Sequence, residues 1–579
     1  MWPSLATPIQ SMQFIDQKKS PNYYGVITFI YIFELVCGLP VMTGRHWNTF
    51  SGFPFYFTDR YFHVLGDRVS YFQNLTKMYC ITMSFLYVIQ SCRRHQYEIR
   101  VPAGRMNKQP WRDRILPDLF LCVFLVSTMI PLLFSGNAKM IWTGAGGRYQ
   151  GLKMWLFYAA AYLMIRHTVS EKSIRLCIRF MLLGGGISAV WGIADFAGID
   201  PMGWIAAIKE SQRGMFVSSY GNINTYTAAM TLFMAIAGVL SVQNRTADKD
   251  YKRIFKLVYR TLFFLFCIAM ITGLSDNAAI GILAFFAITA FICRDITEIL
   301  ALFRLVQILL LAEATLFCYV NLFSGPVSPY INIQSGILLA LALKKEIFQC
   351  CICIIVWLEM VRQILNRMRT QEKRVLRLWR EMLIGIIICC GLCVIEILIL
   401  ANTGHVASEA IQKYTRFNDQ WGTWRGFVWR IAAEEYANLP IWQKLFGTGL
   451  ETFGIVMKST RYDEMLSVAG QVFDSPHNEI LQYLFTSGMI GCFSLYAWYI
   501  LTCIYAIRSQ DKSAACAVAV LVYICVSFVN ISVPMTQVYI IVLVALMGQK
   551  SGGGQRCAGK VRGGTGTVHF CQHHPAQEP

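Results

Sequence analysis

The sequence has few charged residues for its length. Charged side chains make up 15% of its 579 residues, whereas soluble proteins carry about 25%. Hydrophobic residues make up 55%, and they come in blocks of about 20, the length that a helix needs to cross the hydrocarbon core of a bilayer. This composition excludes a soluble globular fold.

The sequence also lacks the alternating segments of about 10 residues that a membrane β-barrel needs. Backbone polar groups in lipid must be satisfied within their own helix. The expected fold is therefore an all-α polytopic membrane protein of about 12–14 transmembrane helices. The predicted spans are 24–43, 73–92, 115–135, 150–166, 176–198, 223–242, 254–273, 277–293, 302–323, 337–362, 382–401, 478–507, 513–533 and 535–548.

Features of secreted domains are missing as well. The polar residues 402–476 contain no cysteine, and most of the 20 cysteines lie in apolar blocks, where they behave as small hydrophobic side chains. The first apolar block is longer than the core of a cleavable signal peptide, so an uncleaved anchor is expected. The Gly-rich residues 551–579 are predicted to be a disordered cytoplasmic tail, and their Cys and His spacing fits no zinc pattern.

Positive charge is abundant, with a net charge of +19, and it alternates between the loops. Loops 93–114 and 362–380 hold seven Lys and Arg residues each, the stretch 243–260 holds six, and 324–336 holds none. Because Lys and Arg favour the cytoplasmic side, the N-terminus is predicted inside and residues 402–476 outside. The charge therefore indicates topology and contact with lipid headgroups, with no nucleic-acid partner.

Three groups of polar residues lie on the predicted outer side. They are Arg213 with Asn222 and Asn224; Trp424-Arg425 through Trp429-Arg430 with Phe446–Phe453; and His477-Asn478-Glu479 with Ser487–Gly491. The first group lies before and at the start of the predicted span 223–242, the second lies in the polar run 402–476, and the third lies at the start of the predicted span 478–507.

In order and spacing, these groups resemble the O-antigen ligase and O-antigen polymerase superfamily of bacterial envelope glycosyltransferases. The resemblance rests on an Arg followed by G-N-x-N, on R-x-x-x-W, on F-G-x-G-x-x-x-F, and on H-N-x-x-L-x-x-L followed by S-G-x-x-G, and it covers roughly residues 205–500. It implies a GT-C-like helical bundle in the bacterial inner membrane, capped by an external loop with short helices. The chain then divides into N-terminal helices 1–200, an O-antigen ligase-like domain 201–550 and the tail 551–579.

The resemblance implies transfer of a glycan from an undecaprenyl-diphosphate carrier to a hydroxyl of a glycolipid or glycan acceptor, outside the cytoplasm. No metal or other cofactor is expected. Arg binds phosphate through a planar fork of donors, which suits Arg213 and Arg425 as catalytic groups that hold the diphosphate. His477 has the intrinsic pKa of a general base. Expected substrate-binding residues are Asn222, Asn224, Arg430, Asn478 and Glu479.

Each of these residues also has a structural interpretation. Arg213 suits an interfacial anchor, Arg425 and Arg430 suit solvated loop charges, and His477 suits a helix entry. Asn222 and Asn224 suit helix caps, and the glycines of F-G-x-G suit turns. For the whole chain, the alternative function is a polytopic transporter or flippase for a lipid-linked or anionic substrate.

The sequence departs from the family at one place. Many members carry an Arg after Thr-Gly-Ser at the outer start of a middle span, whereas this chain has Thr272-Gly273-Leu274-Ser275 followed by Asp276. If that Arg holds carrier phosphate, another cation must replace it. Lys344, Lys345 and Arg430 are the candidates from the sequence.

Overall fold

The computed structural model describes residues 23–41, 60–96, 112–144, 148–169, 171–243, 249–332, 336–368, 372–403, 415–508 and 513–548. The predicted tail 551–579 and much of the basic loop 93–114 lie outside these residues. Within them the regular elements are helices, and no strand occurs. The first helices are α1 (Tyr23–Phe33, continued by the π-turn Glu34–Gly38 and by Leu39–Val41), α2 (Arg60–Gln96), α3 (Arg112–Phe134), α4 (Ala138–Thr143), α5 (Leu152–Thr168), α6 (Glu171–Phe196), α7 (Trp204–Ala207) and α8 (Glu210–Arg213).

A 3₁₀ turn at Ser218–Tyr220 precedes the helices that carry most of the sequence patterns. These helices are α9 (Ile223–Val242), α10 (Lys249–Thr272), α11 (Asn277–Ile292), α12 (Ile296–Phe317, continued by the π-turn Cys318–Leu322), α13 (Ile337–Ala342), α14 (Lys345–Arg367), α15 (Glu372–Asn402), α16 (Trp421–Asn438), α17 (Ile441–Phe446), α18 (Phe453–Thr460), α19 (Tyr462–Ala469), α20 (Glu479–Arg508), α21 (Ala514–Ser527) and α22 (Pro534–Met547).

The helices form a membrane bundle in which some helices are almost fully buried and others are exposed. Among the described residues, eight helices are long and apolar enough to cross a membrane, and four shorter apolar helices accompany them. In α9, 94% of the apolar window is buried, and every residue of α22 is buried. In α15, by contrast, none of the window is buried, so its apolar side chains face outward. The prediction of an all-α polytopic membrane protein is confirmed.

The structure divides the predicted span 337–362 into two helices. The first, α13, ends at Ala342, and α14 begins at Lys345. Lys344 and Lys345 are both exposed, which is consistent with the cost of placing an ammonium group in hydrocarbon. The membrane-length helix is therefore α14, and the amide of Ile337 at the start of α13 donates a hydrogen bond of 3.0 Å to the Asp276 carboxylate.

The external loop predicted at 402–476 is mostly helical in its described part. Helices α16 to α19 surround a small apolar core whose members include Phe427, Phe453 and Met465. Phe485, in the second turn of the span α20, belongs to the same core. The loop is thus packed directly onto the membrane helix that follows it.

The predicted orientation leads to a labelling result. We expect Ser459→Cys on α18 to react with a membrane-impermeant maleimide added outside the cell, in a background without native cysteines. Arg374→Cys near the start of α15 should react only after the membrane is permeabilised. Both positions are exposed, so accessibility to the reagent reports the side of the membrane. Labelling of Ser459→Cys only from the cytoplasmic side would contradict the orientation.

Candidate active site

His477 lies in a tight turn that leads into α20. Its backbone φ is 49°, in the left-handed region, and its amide donates to Ser475 Oγ at 3.3 Å. The indole Nε1 of Trp429 donates to the carbonyl oxygen of Pro476 at 2.8 Å. The external helix α16 therefore holds the residue immediately before the histidine.

Arg425 lies one helical turn before Trp429 on α16. Residues four apart share a face of a helix, so the R-x-x-x-W pattern places the guanidinium on the face that holds the His477 turn. The charge of Arg425 acts on the His477 imidazole, and the Asp276 carboxylate acts on Arg425. Arg425 Nε is buried without a hydrogen-bond partner, and within the described residues no ion pair engages this guanidinium.

Arg148 is a site residue that sequence reasoning missed. It follows α4, is 8% exposed, and forms an ion pair with the Asp474 carboxylate. It also donates to the Asp474 carbonyl oxygen at 2.8 Å and lies 3.8 Å from Glu451. Arg148 thus fixes the chain three residues before His477, and it brings a second positive charge toward the imidazole. In the sequence, Arg148 was distinguished only as a basic residue in a predicted outer loop that has few Lys and Arg residues.

The electrostatic environment keeps the histidine neutral. Burial, together with the charges of Arg425 and Arg148, lowers the pKa of His477 to about 4, against the opposing effect of Asp474. At neutral pH the imidazole is therefore unprotonated and able to accept a proton. Burial also lowers the pKa of Arg425, although a guanidinium remains charged at any physiological pH.

Strained backbone is concentrated at this site. Eight described non-glycine residues have positive φ, a conformation that costs about 1–2 kcal/mol for most L-residues. Six of the eight belong to the segments just described: Tyr149, Leu274, Thr423, Trp424, Glu451 and His477. Such strain persists only where the surrounding structure enforces it, and it gathers at functional sites. The distribution therefore marks these segments as one site.

The glycines of F-G-x-G and S-G-x-x-G join the external loop to α20. The amides of Thr448 and Gly449 donate to the carbonyl oxygens of Phe485 and Thr486 at 3.2 and 2.9 Å. A Cβ on Gly447 would collide with the backbone of Thr486, and one on Gly488 would collide with the backbone of Leu445. The two patterns are therefore in direct backbone contact in this fold.

We expect Gly447→Ala to lower the thermal unfolding midpoint and the folded yield far more than Gly470→Ala. Both glycines have positive φ, 83° and 66°, but a Cβ on Gly470 has no atom within 4 Å. The control should therefore show only the backbone cost of about 1–2 kcal/mol. Unfolding of the purified proteins in detergent measures the difference. Equal midpoints for the two variants would contradict the close contact at Gly447.

With this geometry in view, comparison with known proteins identifies one family. Residues 334–496 match the family model described as O-antigen ligase. The match supports membership of the O-antigen ligase superfamily for this part of the chain. The matched O-antigen ligase domain includes Arg425 and His477, whereas Arg148 and Asp276 lie before it in the chain. No curated protein matches the sequence.

The family match agrees with the resemblance found in the sequence, and it gives the chain a broad function. The O-antigen ligase family suggests a glycan-transferring enzyme of the cell envelope, acting on lipid-linked glycans and glycolipid acceptors. Among the described residues, no three His, Cys, Asp or Glu side chains come together to hold a metal ion.

Arg213, a predicted site arginine that precedes the O-antigen ligase domain, has partners away from His477. Its guanidinium donates to the carbonyl oxygens of Ile208 and Ala206, both at 3.0 Å, and lies 4.7 Å from the ring centre of Tyr330. It makes no hydrogen bond with His477 or Arg425. Its predicted role in holding the donor stays a prediction.

Arg430, inside the O-antigen ligase domain, is held by carboxylates. It forms a two-point ion pair with Asp419, at 3.0 and 3.1 Å, and further pairs with Glu434 and Glu464 at 3.0 and 3.1 Å. These partners raise the pKa of Arg430. The network ties α16 to α19. The suggestion that Arg430, Lys344 or Lys345 takes the place of the missing family Arg stays a prediction.

Two of the predicted substrate-binding asparagines cap helices. Asn222 Oδ1 accepts from the amides of Asn224 and Thr225 at 2.8 and 3.3 Å, and Asn478 Oδ1 accepts from the amide of Leu481 at 3.0 Å. Asn222 therefore caps the N-terminus of α9, and Asn478 caps the N-terminus of α20.

Asn224 and Glu479 make other contacts. Asn224 Oδ1 accepts from Ser275 Oγ at 2.6 Å, one residue before Asp276, which links the G-N-x-N group to the Arg425 region. The Glu479 carboxylate is 1% exposed and accepts from the Tyr523 hydroxyl at 2.8 Å. Their predicted contacts with substrate stay predictions.

Proposed function

We propose that this protein is an envelope glycosyltransferase of the O-antigen ligase or polysaccharide polymerase type. It moves a glycan from an undecaprenyl-diphosphate carrier to an acceptor hydroxyl on the extracytoplasmic side of the bacterial inner membrane. The observation that carries the proposal is the pairing of a neutral histidine with a half-buried arginine whose Nε has no hydrogen-bond partner. The O-antigen ligase match supports the choice of reaction class.

Arg425 is the group suited to the carrier diphosphate. A guanidinium nitrogen that is buried without a hydrogen-bond partner is costly, and a phosphate oxygen would offset that cost through charge-assisted hydrogen bonds. Negative charge on the diphosphate grows as the bond between sugar and phosphate breaks. A fixed guanidinium in a poorly solvated site therefore stabilises the transition state more than the bound donor.

His477 is the group suited to the acceptor. As the acceptor oxygen attacks the anomeric carbon, its proton passes to the imidazole and the diphosphate leaves with the bonding electrons. Proton transfer to a positioned base of this kind requires the neutral ring, which burial and the two arginines maintain. Arg148 acts as a positioning residue through Asp474.

The proposal is tested by transfer in a defined mixture. Purified protein in detergent or liposomes is given a lipid-diphosphate glycan donor and separate acceptors, one a lipid A core glycan and one a second carrier-linked repeat unit. Growth of the first acceptor indicates a ligase, and growth of the second indicates a polymerase. Movement of the intact donor across the liposome membrane without a new glycosidic bond would support the transporter alternative and refute the proposal.

The pH dependence of transfer should report the environment of His477. We expect the acid limb of kcat/KM for the donor, which reflects the free enzyme, to fall near pH 4, where the imidazole becomes protonated. The acid limb of kcat should lie at higher pH, because the negative charge of the bound diphosphate offsets the effect of the two arginines on the His477 pKa. In Arg148→Gln, loss of one positive charge should move the kcat/KM limb upward. An unchanged limb in that variant would contradict the electrostatic account.

A further inference from the structure

A second basic site lies at the opposite end of the bundle from His477. It is a cavity of about 250 Å³ between α10, α12 and α14. Its walls come from the first half of α10, the first half of α12 and the last turns of α14, and they include Lys256, Arg260, Leu300, Glu359 and Arg362. The C-terminal end of α10, at Thr272, lies on the other side of the bundle and is followed by Asp276 of the His477 site.

The cavity carries an excess of positive charge. Arg260 and Arg362 both line the cavity, and Arg304, just outside the wall, shares the Glu359 carboxylate with Arg362. The charges of Arg304 and Arg362 both act on Arg260. Glu359 is the only carboxylate in the wall; it pairs with Arg362 and lies 3.8 Å from Arg304. Arg260 Nε is buried without a hydrogen-bond partner. One carboxylate does not balance three arginines.

An anion with several oxygen atoms would resolve this imbalance. Like charges brought close together in a poorly solvated cavity repel one another, and a buried guanidinium nitrogen without a partner is costly. Phosphate oxygens match the planar donor fork of arginine and accept from several guanidinium groups at once. A cavity of about 250 Å³ has room for a phosphate group and several waters.

The position of the cavity favours a lipid as the source of the phosphate. The wall residues all lie in the half of their helices that the sequence predicts to be on the cytoplasmic side. Trp357 and Met360 on α14, and Leu257 on α10, are 57%, 52% and 66% exposed. These apolar side chains are one or two residues from Glu359 and Lys256 of the wall, and they are exposed on the outside of the bundle, where acyl chains would lie. Basic pockets between membrane helices commonly hold anionic headgroups.

We propose that this cavity binds a phosphate-bearing anion, supplied by the headgroup of an anionic phospholipid in the leaflet predicted to be cytoplasmic. The site is separate from the His477 site and does not depend on the proposed transfer reaction.

Thermal unfolding of the full chain in detergent tests the proposal with three probes: dioctanoyl phosphatidylglycerol, dioctanoyl phosphatidylcholine and inorganic phosphate. We expect phosphatidylglycerol to raise the unfolding midpoint and phosphatidylcholine not to do so. Arg260→Gln with Arg304→Gln should weaken the apparent affinity for phosphatidylglycerol on the order of tenfold or more. The matched control is Arg253→Gln, which removes an exposed arginine of the same helix that is not part of the cavity wall.

Each outcome decides the question. Stabilisation by inorganic phosphate with the same dependence on the two arginines would keep the phosphate site and make a soluble anion its ligand. Equal effects of the two lipids, or equal losses in the control variant, would overturn the proposal. Native mass spectrometry of the unaltered protein gives a readout that needs no variant: preferential retention of phosphatidylglycerol supports the site, and equal retention of both lipids overturns it.

Discussion

Replacement of His477 should abolish most glycan transfer while the protein still folds. A positioned general base contributes about 10²–10⁴-fold in rate, so we expect a loss of that size in turnover per folded molecule. The informative change is His477→Asn, because Asn tolerates the left-handed backbone that this position has, with φ of 49°. His477→Ala would add backbone strain, which mixes an effect on stability with the effect on chemistry.

His477→Gly provides the control for this prediction. Glycine accepts the left-handed conformation without strain and leaves space where the ring was. If the imidazole acts as a base, added imidazole should restore part of the transfer in His477→Gly and none in Arg425→Ala. Near wild-type turnover in His477→Asn would end the base hypothesis and leave His477 as a helix-entry residue.

Loss of the Arg425 guanidinium should have the next largest effect. Removing one donor from a preorganised anion site typically costs about 10²–10³-fold in kcat, and Arg425→Ala is expected to fall in this range. Arg425→Lys keeps the charge but loses the planar fork, so it should restore only part of the activity. Inhibition by a short-chain prenyl diphosphate should weaken in both variants, since the same group binds the leaving diphosphate.

Arg416→Ala is the matched control for Arg425→Ala. Arg416 is an exposed arginine of the same external loop, nine residues earlier in the chain, and surface charges of this kind contribute little. Its loss should leave transfer and prenyl diphosphate inhibition unchanged. A correctly inserted Arg425→Ala protein with normal transfer would refute the diphosphate role.

Most of the membrane architecture could be predicted from the sequence because hydropathy reports it directly. Apolar blocks of about 20 residues leave a bilayer-spanning helix as the main option, and α9 and α20 lie close to the predicted spans 223–242 and 478–507. The break at Lys344 was harder to predict, because the short apolar helix α13 has the same composition as a span. Its contact with Asp276 shows that it lies beside the candidate site.

The candidate site was only partly predictable. The order of motifs indicated His477 and Arg425, and the structure brings them together through Trp429. Arg148 was not identified, since its contact with Asp474 spans 326 residues and no local pattern records such a distance. Arg213 and Arg430 have the right residue type on the predicted side of the membrane, but sequence could not show that neighbouring carbonyl and carboxylate oxygens already hold them.

The contact between Gly447 and Thr486 makes the external loop a modular part. The loop is docked there through main-chain atoms, and main-chain hydrogen bonds do not depend on which side chains flank them. A loop taken from another O-antigen ligase should therefore seat on this α20 without redesign of the helix, provided that glycine is kept at positions 447 and 488 and that the new loop has an apolar core to receive Phe485. Exchange of the loop as a cassette then offers a route to new acceptor specificity on an unchanged membrane scaffold.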